Sequence, residues 1–108
     1  MLKLGKRGLG GFMENITLKE LQEYIRNRDY RPELEHAYFQ KLIEEVGELS
    51  EVLRKGKRME TEDTIKGTIE EELYDVLYYV VALANLNDVD LEKSFHLKEA
   101  INQHKYGR

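Results

Sequence analysis

From Asn15 to the C-terminus, apolar side chains recur every three or four positions, and no stretch alternates apolar with polar at a period of two. That pattern predicts helices and no sheet. Thr17-x-x-Glu20 has the form of a capping box, opening a short helix with Leu18, Leu21 and Ile25 on one side. Asp29-Tyr30-Arg31-Pro32 interrupts it, and Pro32 suits the first turn of a second helix. This helix can run to Lys55, where Gly56 supplies a C-terminal stop. Residues 57–63 are polar apart from Met59 and read as a loop. A third helix is expected from about Thr64 to Leu86, closed by Asn87-Asp88, and Asp90 caps a fourth from Leu91 to about Tyr106. The expected fold is all-α, a four-helix-type bundle with short connections.

Several acids fall where such a bundle should be apolar. On a wheel turning ~100° per residue, Leu34, Tyr38, Leu42, Val46, Leu49, Val52 and Leu53 form one arc of the second helix. Glu45 lies inside that arc and Glu48 at its edge, whereas Glu44 and Glu51 face away. On the third helix the main arc holds Ile65, Ile69, Leu73, Val76, Leu77, Val80, Leu83 and Ala84, with Glu72 beside it and Asp75 a step further out. Each acidic pair is spaced i, i+3 and so stacks on one helix face. Packing the two stripes together brings four carboxylates to one seam, where they repel unless a cation lies between them. A hard divalent ion with oxygen ligands suits the donors, and Mg²⁺ suits them best if phosphates complete the shell. A di-iron centre needs Glu-x-x-His ligands on facing helices, and His36, His96 and His104 offer no such spacing.

The fourth helix adds cations. Leu91, Phe95 and Tyr106 mark its expected buried side, and Lys98, Asn102 and Lys105 point the same way. Lys41 sits one turn before Glu45 on the second helix. Cations there can neutralise a polyphosphate, or they can simply pair with the carboxylates. Tyr74, Tyr78 and Val81 give the third helix a second apolar side. Another helix of the bundle can cover that side, or a second subunit can.

Composition narrows the function. The chain has 108 residues, which is one domain's worth, and a net charge of −4. Residues 1–12, MLKLGKRGLGGF, carry three bases and four glycines, leaving −7 for the remainder. They match neither a phosphate-binding loop nor a secretory signal. A flexible leader over residues 1–13, either foreign to the native protein or upstream of a natural start at Met13, is expected, followed by one domain over 14–108. The acidic remainder argues against a nucleic-acid partner. The absence of cysteine excludes disulfides, thiolate metal sites and a cysteine nucleophile. With no apolar run of 18 residues, no membrane span is expected, and a cytoplasmic protein is the default.

K41-L-I-E-E-V-G-E-L49, E71-E-L-Y-D-V-L-Y-Y-V-V-A-L-A84 and K98-x-x-x-N-x-x-K-Y-G107 together resemble the MazG-like nucleoside triphosphate pyrophosphohydrolases over residues 17–107. The resemblance implies an all-α, Mg²⁺-dependent enzyme, with Mn²⁺ as a substitute, that cleaves an NTP or dNTP to the monophosphate and pyrophosphate. Such an activity suits nucleotide-pool cleaning. On this resemblance Glu45, Glu48, Glu72 and Asp75 hold the metal, and Glu44 or Glu71 orders or deprotonates the attacking water. Lys41, Lys98 and Lys105 then contact phosphates, and Asn102 the phosphate or sugar. It also implies a homodimer or homotetramer with the site near subunit interfaces. Tyr74 stands where the family has Gly, and without Trp a stacked base would fall to Tyr24, Tyr30, Tyr38 or Phe39. Two other readings stay open: a phosphoribosyl-ATP pyrophosphohydrolase, and a helical nucleotide-sensing module without turnover.

Overall fold

The computed structural model describes residues 15–107, and all of its regular structure is helical. The leader expected over residues 1–13 lies outside the described residues. The first helix, α1 (Leu18–Arg28), opens on the anticipated capping box: the Thr17 hydroxyl accepts from the Glu20 N–H and the Glu20 carboxylate from the Thr17 N–H. Asp29 closes it. Pro32–Leu34 form a 3₁₀ turn leading into α2 (Glu35–Lys55), which ends on Gly56 at φ 68°, a left-handed position that favours glycine.

The third helix, α3 (Ile69–Leu86), begins five residues later than its apolar pattern suggested. Residues 64–68 belong instead to the loop, because the fully buried Thr68 is the cap. Its hydroxyl accepts from the Glu71 N–H, and Gly67 turns the chain at φ 75°. The last helix, α4 (Leu91–Tyr106), starts at the anticipated Asp90 cap.

Tyr38 packs edge-on against Tyr79, with ring centroids 6.4 Å apart, while Glu45 meets Glu72 and Asp75. Positions rising along α2 therefore oppose positions falling along α3, so the two helices are antiparallel. The pairs Gln22–Asn85 and Asp29–Tyr78 show the same for α1 and α3. Thus α3 is the central element, packed on α1 along one side and α2 along another, and α4 is packed on α1. The core is small: Ile25, Tyr38, Val81 and Ala82, with Leu21, Tyr24, Tyr78, Tyr79, Leu83 and Leu91 against it. Full burial of Ile25 and Val81 stabilises the fold by about 1.5–3 kcal/mol each.

A polar latch joins α1, α3 and the start of α4. The Gln22 amide donates to Asn85 Oδ1 (3.0 Å) and to the Val89 carbonyl (2.9 Å). The Asn85 amide donates to the Gln22 carbonyl (2.9 Å), and the Leu91 N–H donates to Gln22 Oε1 (2.9 Å). Asn85 is buried with its polar atoms satisfied, so the latch fixes register at little desolvation cost.

The structure differs from the expected faces of α2, α3 and α4. The Tyr78/Val81 side of α3 is covered by α1 within the same chain and needs no second subunit for that purpose. The expected main arc is covered in part: Ala84 is buried and Ile69, Val76 and Leu83 are half-buried, but Leu73 is 53% exposed and Leu77 and Val80 are also exposed. On α2, Val46 and Leu53 of the expected arc are exposed, together with Phe39 and Ile43. Nor does α4 lay its apolar side on the bundle: Phe95, Leu97, Ile101 and Tyr106 are all more than half exposed. The expected all-α fold of four helices is present, with α3 packed on both α1 and α2 and with α4 packed on α1.

Candidate metal centre

The seam between α2 and α3 carries the acids. One oxygen from each of Glu45, Glu72 and Asp75 lies within 4.8 Å of the others. Glu72 is 6% exposed, and Glu45 and Asp75 are half-buried. Antiparallel packing creates this cluster, since Glu45 projects from the face of α2 that also holds Tyr38, and Glu72 and Asp75 lie two turns and one turn before Tyr79 on α3. Glu48, one turn beyond Glu45, is exposed and outside the tight group, but its charge still raises the proton affinity of both Glu72 and Asp75.

The electrostatics are those of negative charge without compensation. Glu45 Oε1 and Glu72 Oε1 are buried without a hydrogen-bond partner. A carboxylate only accepts, so neither oxygen can satisfy the other unless a proton or cation comes between them. Burial is the main force holding Glu72 protonated up to about 7, followed by a hydrogen bond to Glu45 that only the protonated form can make, then repulsion from Glu48 and Asp75. Asp75 is likewise raised, by burial first and then by Glu45, Glu71 and Glu48, with Lys66 opposing. Three converging carboxylate oxygens with two orphaned buried atoms fit a small, hard divalent cation, and the donor set is all oxygen.

The other anticipated residues are distributed less compactly. Lys41 is exposed and paired with Glu44 at 3.3 Å, so Glu44 holds a lysine on the surface of α2. Glu71 is half-buried, and its Oε1 accepts the Gly67 N–H at 2.6 Å, bracing the loop that leads into α3. Lys98, Asn102 and Lys105 lie along α4, whose packing is against α1 and not the acidic seam, and the Asn102 amide donates to Glu99. The sequence reading missed Lys66, because the loop path that brings it toward Asp75 is not written in any periodicity. It also missed Tyr79, which lies one turn after Asp75 and was detectable by the i, i+4 rule.

A helical fold with a partly buried cluster of carboxylates between two antiparallel helices defines the class: an all-α protein built around an acidic centre. The family model described as the MazG nucleotide pyrophosphohydrolase domain matches residues 33–107, and the chain belongs to that family. It is accordingly a hydrolase of the nucleotide pyrophosphohydrolase class. Two crystal structures of iMazG from Vibrio DAT 722 are similar to it. The C-terminally tagged form is 58% identical, with a TM-score of 0.77, covering 82% of this chain and 99% of that one. The N-terminally tagged form is 57% identical, with a TM-score of 0.78, covering 86% and 100%. No curated protein matches significantly. Among the described residues, no helix is long and apolar enough to cross a membrane.

Proposed function

We propose that the protein converts a nucleoside or deoxynucleoside triphosphate to the monophosphate and pyrophosphate, with Mg²⁺ held by Glu45, Glu72 and Asp75 and by Glu48 at the open edge. The observation carrying this reading is the buried, partnerless Glu72 oxygen facing two further carboxylates. A scaffold would lose stability by keeping it, and a cation site needs it. When bound, the ion supplies positive charge to phosphate oxygens and a more acidic water. Of the two acids proposed to order the attacking water, Glu71 is the better placed: it is half-buried and close enough to Asp75 to perturb it. Glu44 serves Lys41 instead, holding its ammonium at the edge of the cluster for the phosphates.

The proposed phosphate ligands Lys98 and Lys105, with Asn102 for the phosphate or sugar, reach a site by assembly. Phe39, Ile43, Val46 and Leu53 stripe one side of α2, and Leu73, Leu77 and Val80 one side of α3. With the helices antiparallel, both stripes fall on the same flank of the pair, opposite the flank carrying Lys41 and Glu48. Exposed apolar stripes side by side suit an association surface. A homodimer or homotetramer formed through it, with α4 of one copy reaching the acids of another, completes the constellation.

Incubation with Mg²⁺ and a panel of NTPs and dNTPs, with products resolved by ion-exchange chromatography, tests the activity. Monophosphate and pyrophosphate, lost with EDTA and in Glu72→Gln, are expected. A diphosphate with inorganic phosphate, or no turnover of any nucleotide, would overturn it.

A further inference from the structure

We infer that Asp29 is a positioning residue for the acidic centre: through the hydroxyls of Tyr38 and Tyr78 it clamps α2 to α3 and so fixes how far Glu45 stands from Glu72 and Asp75. The inference rests on the cation reading above and deepens it, since it names what keeps the ligands converged. Carboxylates crowded at one seam push their helices apart. One oxygen from each of the three lies within 4.8 Å of the others, so something must oppose that push. On one side of the acids the chain itself does so: the loop after α2 turns back into α3, and the Ile69 N–H donates to the Lys57 carbonyl at 2.9 Å. On the other side no loop joins the two helices. There the carboxylate of Asp29, the residue that closes α1, spans them.

The two oxygens of Asp29 are divided between the helices. Oδ1 accepts from the Tyr38 hydroxyl of α2, and Oδ2 accepts from the Tyr78 hydroxyl of α3 at 2.7 Å. Both bonds end on a carboxylate, which makes them the stronger kind. Each partner is held in turn. The Arg31 N–H donates to the Tyr38 oxygen at 3.1 Å, which leaves the Tyr38 proton directed at Asp29. The Asp29 N–H donates to the carbonyl of the fully buried Ile25 at 2.8 Å, so the clamp is anchored in α1. The Tyr78 ring stands edge-on to Tyr79 and Tyr74, with centroids 5.1 and 6.3 Å away. Burial first and the bond to Asp29 second raise the Tyr38 phenol to about 12 and push Tyr78 up as well, so both remain donors.

The lever from clamp to acids is short. Tyr78 precedes no break in α3 and lies three residues after Asp75, ~4.5 Å along the axis, while Tyr38 lies seven residues before Glu45, ~10.5 Å along α2. A helix is stiff over two turns, so a shift at either tyrosine is passed to the carboxylates. Tyr38 and Glu45 also share one face of α2, which directs that shift along the line between the acids. Ligands already converged meet a cation at lower ordering cost than ligands that must be drawn together. The clamp therefore acts on affinity through distance, without touching the ion.

The test separates geometry from charge and from stability. Asp29→Ala removes both bonds and one negative charge. Asp29→Asn removes the same charge but still bridges, its oxygen accepting from Tyr38 and its amide donating to the Tyr78 oxygen. Mn²⁺ affinity, measured by calorimetry at pH 8, should fall at least fivefold in Asp29→Ala and stay within twofold of wild type in Asp29→Asn. Tyr78→Phe cuts only the α3 arm and keeps every charge and the ring, and it should bind at least threefold more weakly. Asn85→Ala loosens α3 ten residues, or ~15 Å, beyond Asp75 and should leave the affinity within twofold, so lost stability alone does not move it. Equal affinities in Asp29→Ala and Asp29→Asn, or wild-type affinity in Tyr78→Phe, would overturn the assignment. A second measurement needs no metal. By urea unfolding in EDTA at pH 8, the gain in the folding constant from Glu72→Gln should be at least threefold smaller in Tyr78→Phe than in wild type, because loosened helices have already relaxed part of the repulsion. Additive effects of the two substitutions would overturn the assignment as well. If the wild type binds no Mn²⁺, the cation reading fails, and the unfolding cycle still decides the clamp.

Discussion

Replacing Glu72 with glutamine isolates the cost of crowding carboxylates into the acidic seam. In the metal-free protein the folded-state proton affinity of Glu72 is raised from an ordinary 4.5 to about 7. A raised carboxyl binds its proton more tightly folded than unfolded, so its contribution to stability is complete below about pH 4.5. That contribution is lost as pH rises through 7 and is gone by about pH 8. Each tenfold gain in proton affinity on folding corresponds to about 1.4 kcal/mol. Allowing for relaxation and sharing of the proton with Glu45, the metal-free wild type should lose about 1–3 kcal/mol from this group between pH 5 and pH 8.

The glutamine carries no charge at either pH, so this part of the slope disappears in Glu72→Gln. The assay is urea unfolding of both proteins in EDTA, at one protein concentration, at pH 5, 6, 7 and 8. Near pH 5 the two should be within about 1 kcal/mol, because a protonated Glu and a Gln are alike in shape and charge. At pH 8 the variant should be the more stable by about 1–2 kcal/mol, or roughly 4–16 °C in Tm for a domain of this size. Adding Mn²⁺ or Mg²⁺ should reverse the order, since only the wild type gains a ligand. Equal slopes for the two proteins, or a variant less stable at pH 8 in EDTA, would refute the reasoning and make Glu72 a structural acid.

The same proton gives metal binding its own pH dependence. Apparent Mn²⁺ affinity, measured by calorimetry, should fall about tenfold per pH unit below pH 7 and level off above it. Asn85→Ala removes the centre of the α1–α3–α4 latch and leaves the Gln22 carbonyl and one Gln22 donor without their partner, so it should cost about 2–3 kcal/mol by urea unfolding. Gly56→Ala, at φ 68°, should cost about 1 kcal/mol with no effect on metal affinity. Val80→Glu on the exposed flank of α3 should dissociate the proposed oligomer, seen as a fall in mass by sedimentation. An unchanged mass would place the association surface elsewhere.

Caps and acids were legible in the sequence for the same reason: each depends on a few adjacent residues. The Thr17 and Asp90 caps and the Gly56 stop satisfy orphan backbone groups within one turn. Glu45, Glu72 and Asp75 stood out because a carboxylate beside an apolar stripe has few explanations, and neighbours on one helix share a face wherever that helix goes. The start of α3 was not legible, because Ile65 fits the helical period while sitting in a loop whose path is set by Gly67 and the buried Thr68 cap.

Apolar faces are different, since a wheel shows that a stripe wants cover without showing what covers it. Tyr78 and Val81 are served by α1, and the stripe of Leu73, Leu77 and Val80, which looks like core on the wheel, is open. The cations of α4 inherit the same ambiguity, because their angle on the helix is fixed locally but the direction of the helix is set by the Gln22 latch at its start. A single chain therefore defines the acidic half of the centre by itself. On the proposed assembly its basic half depends on where a second copy places α4, and the exposed α3 flank is then the element that joins assembly to catalysis.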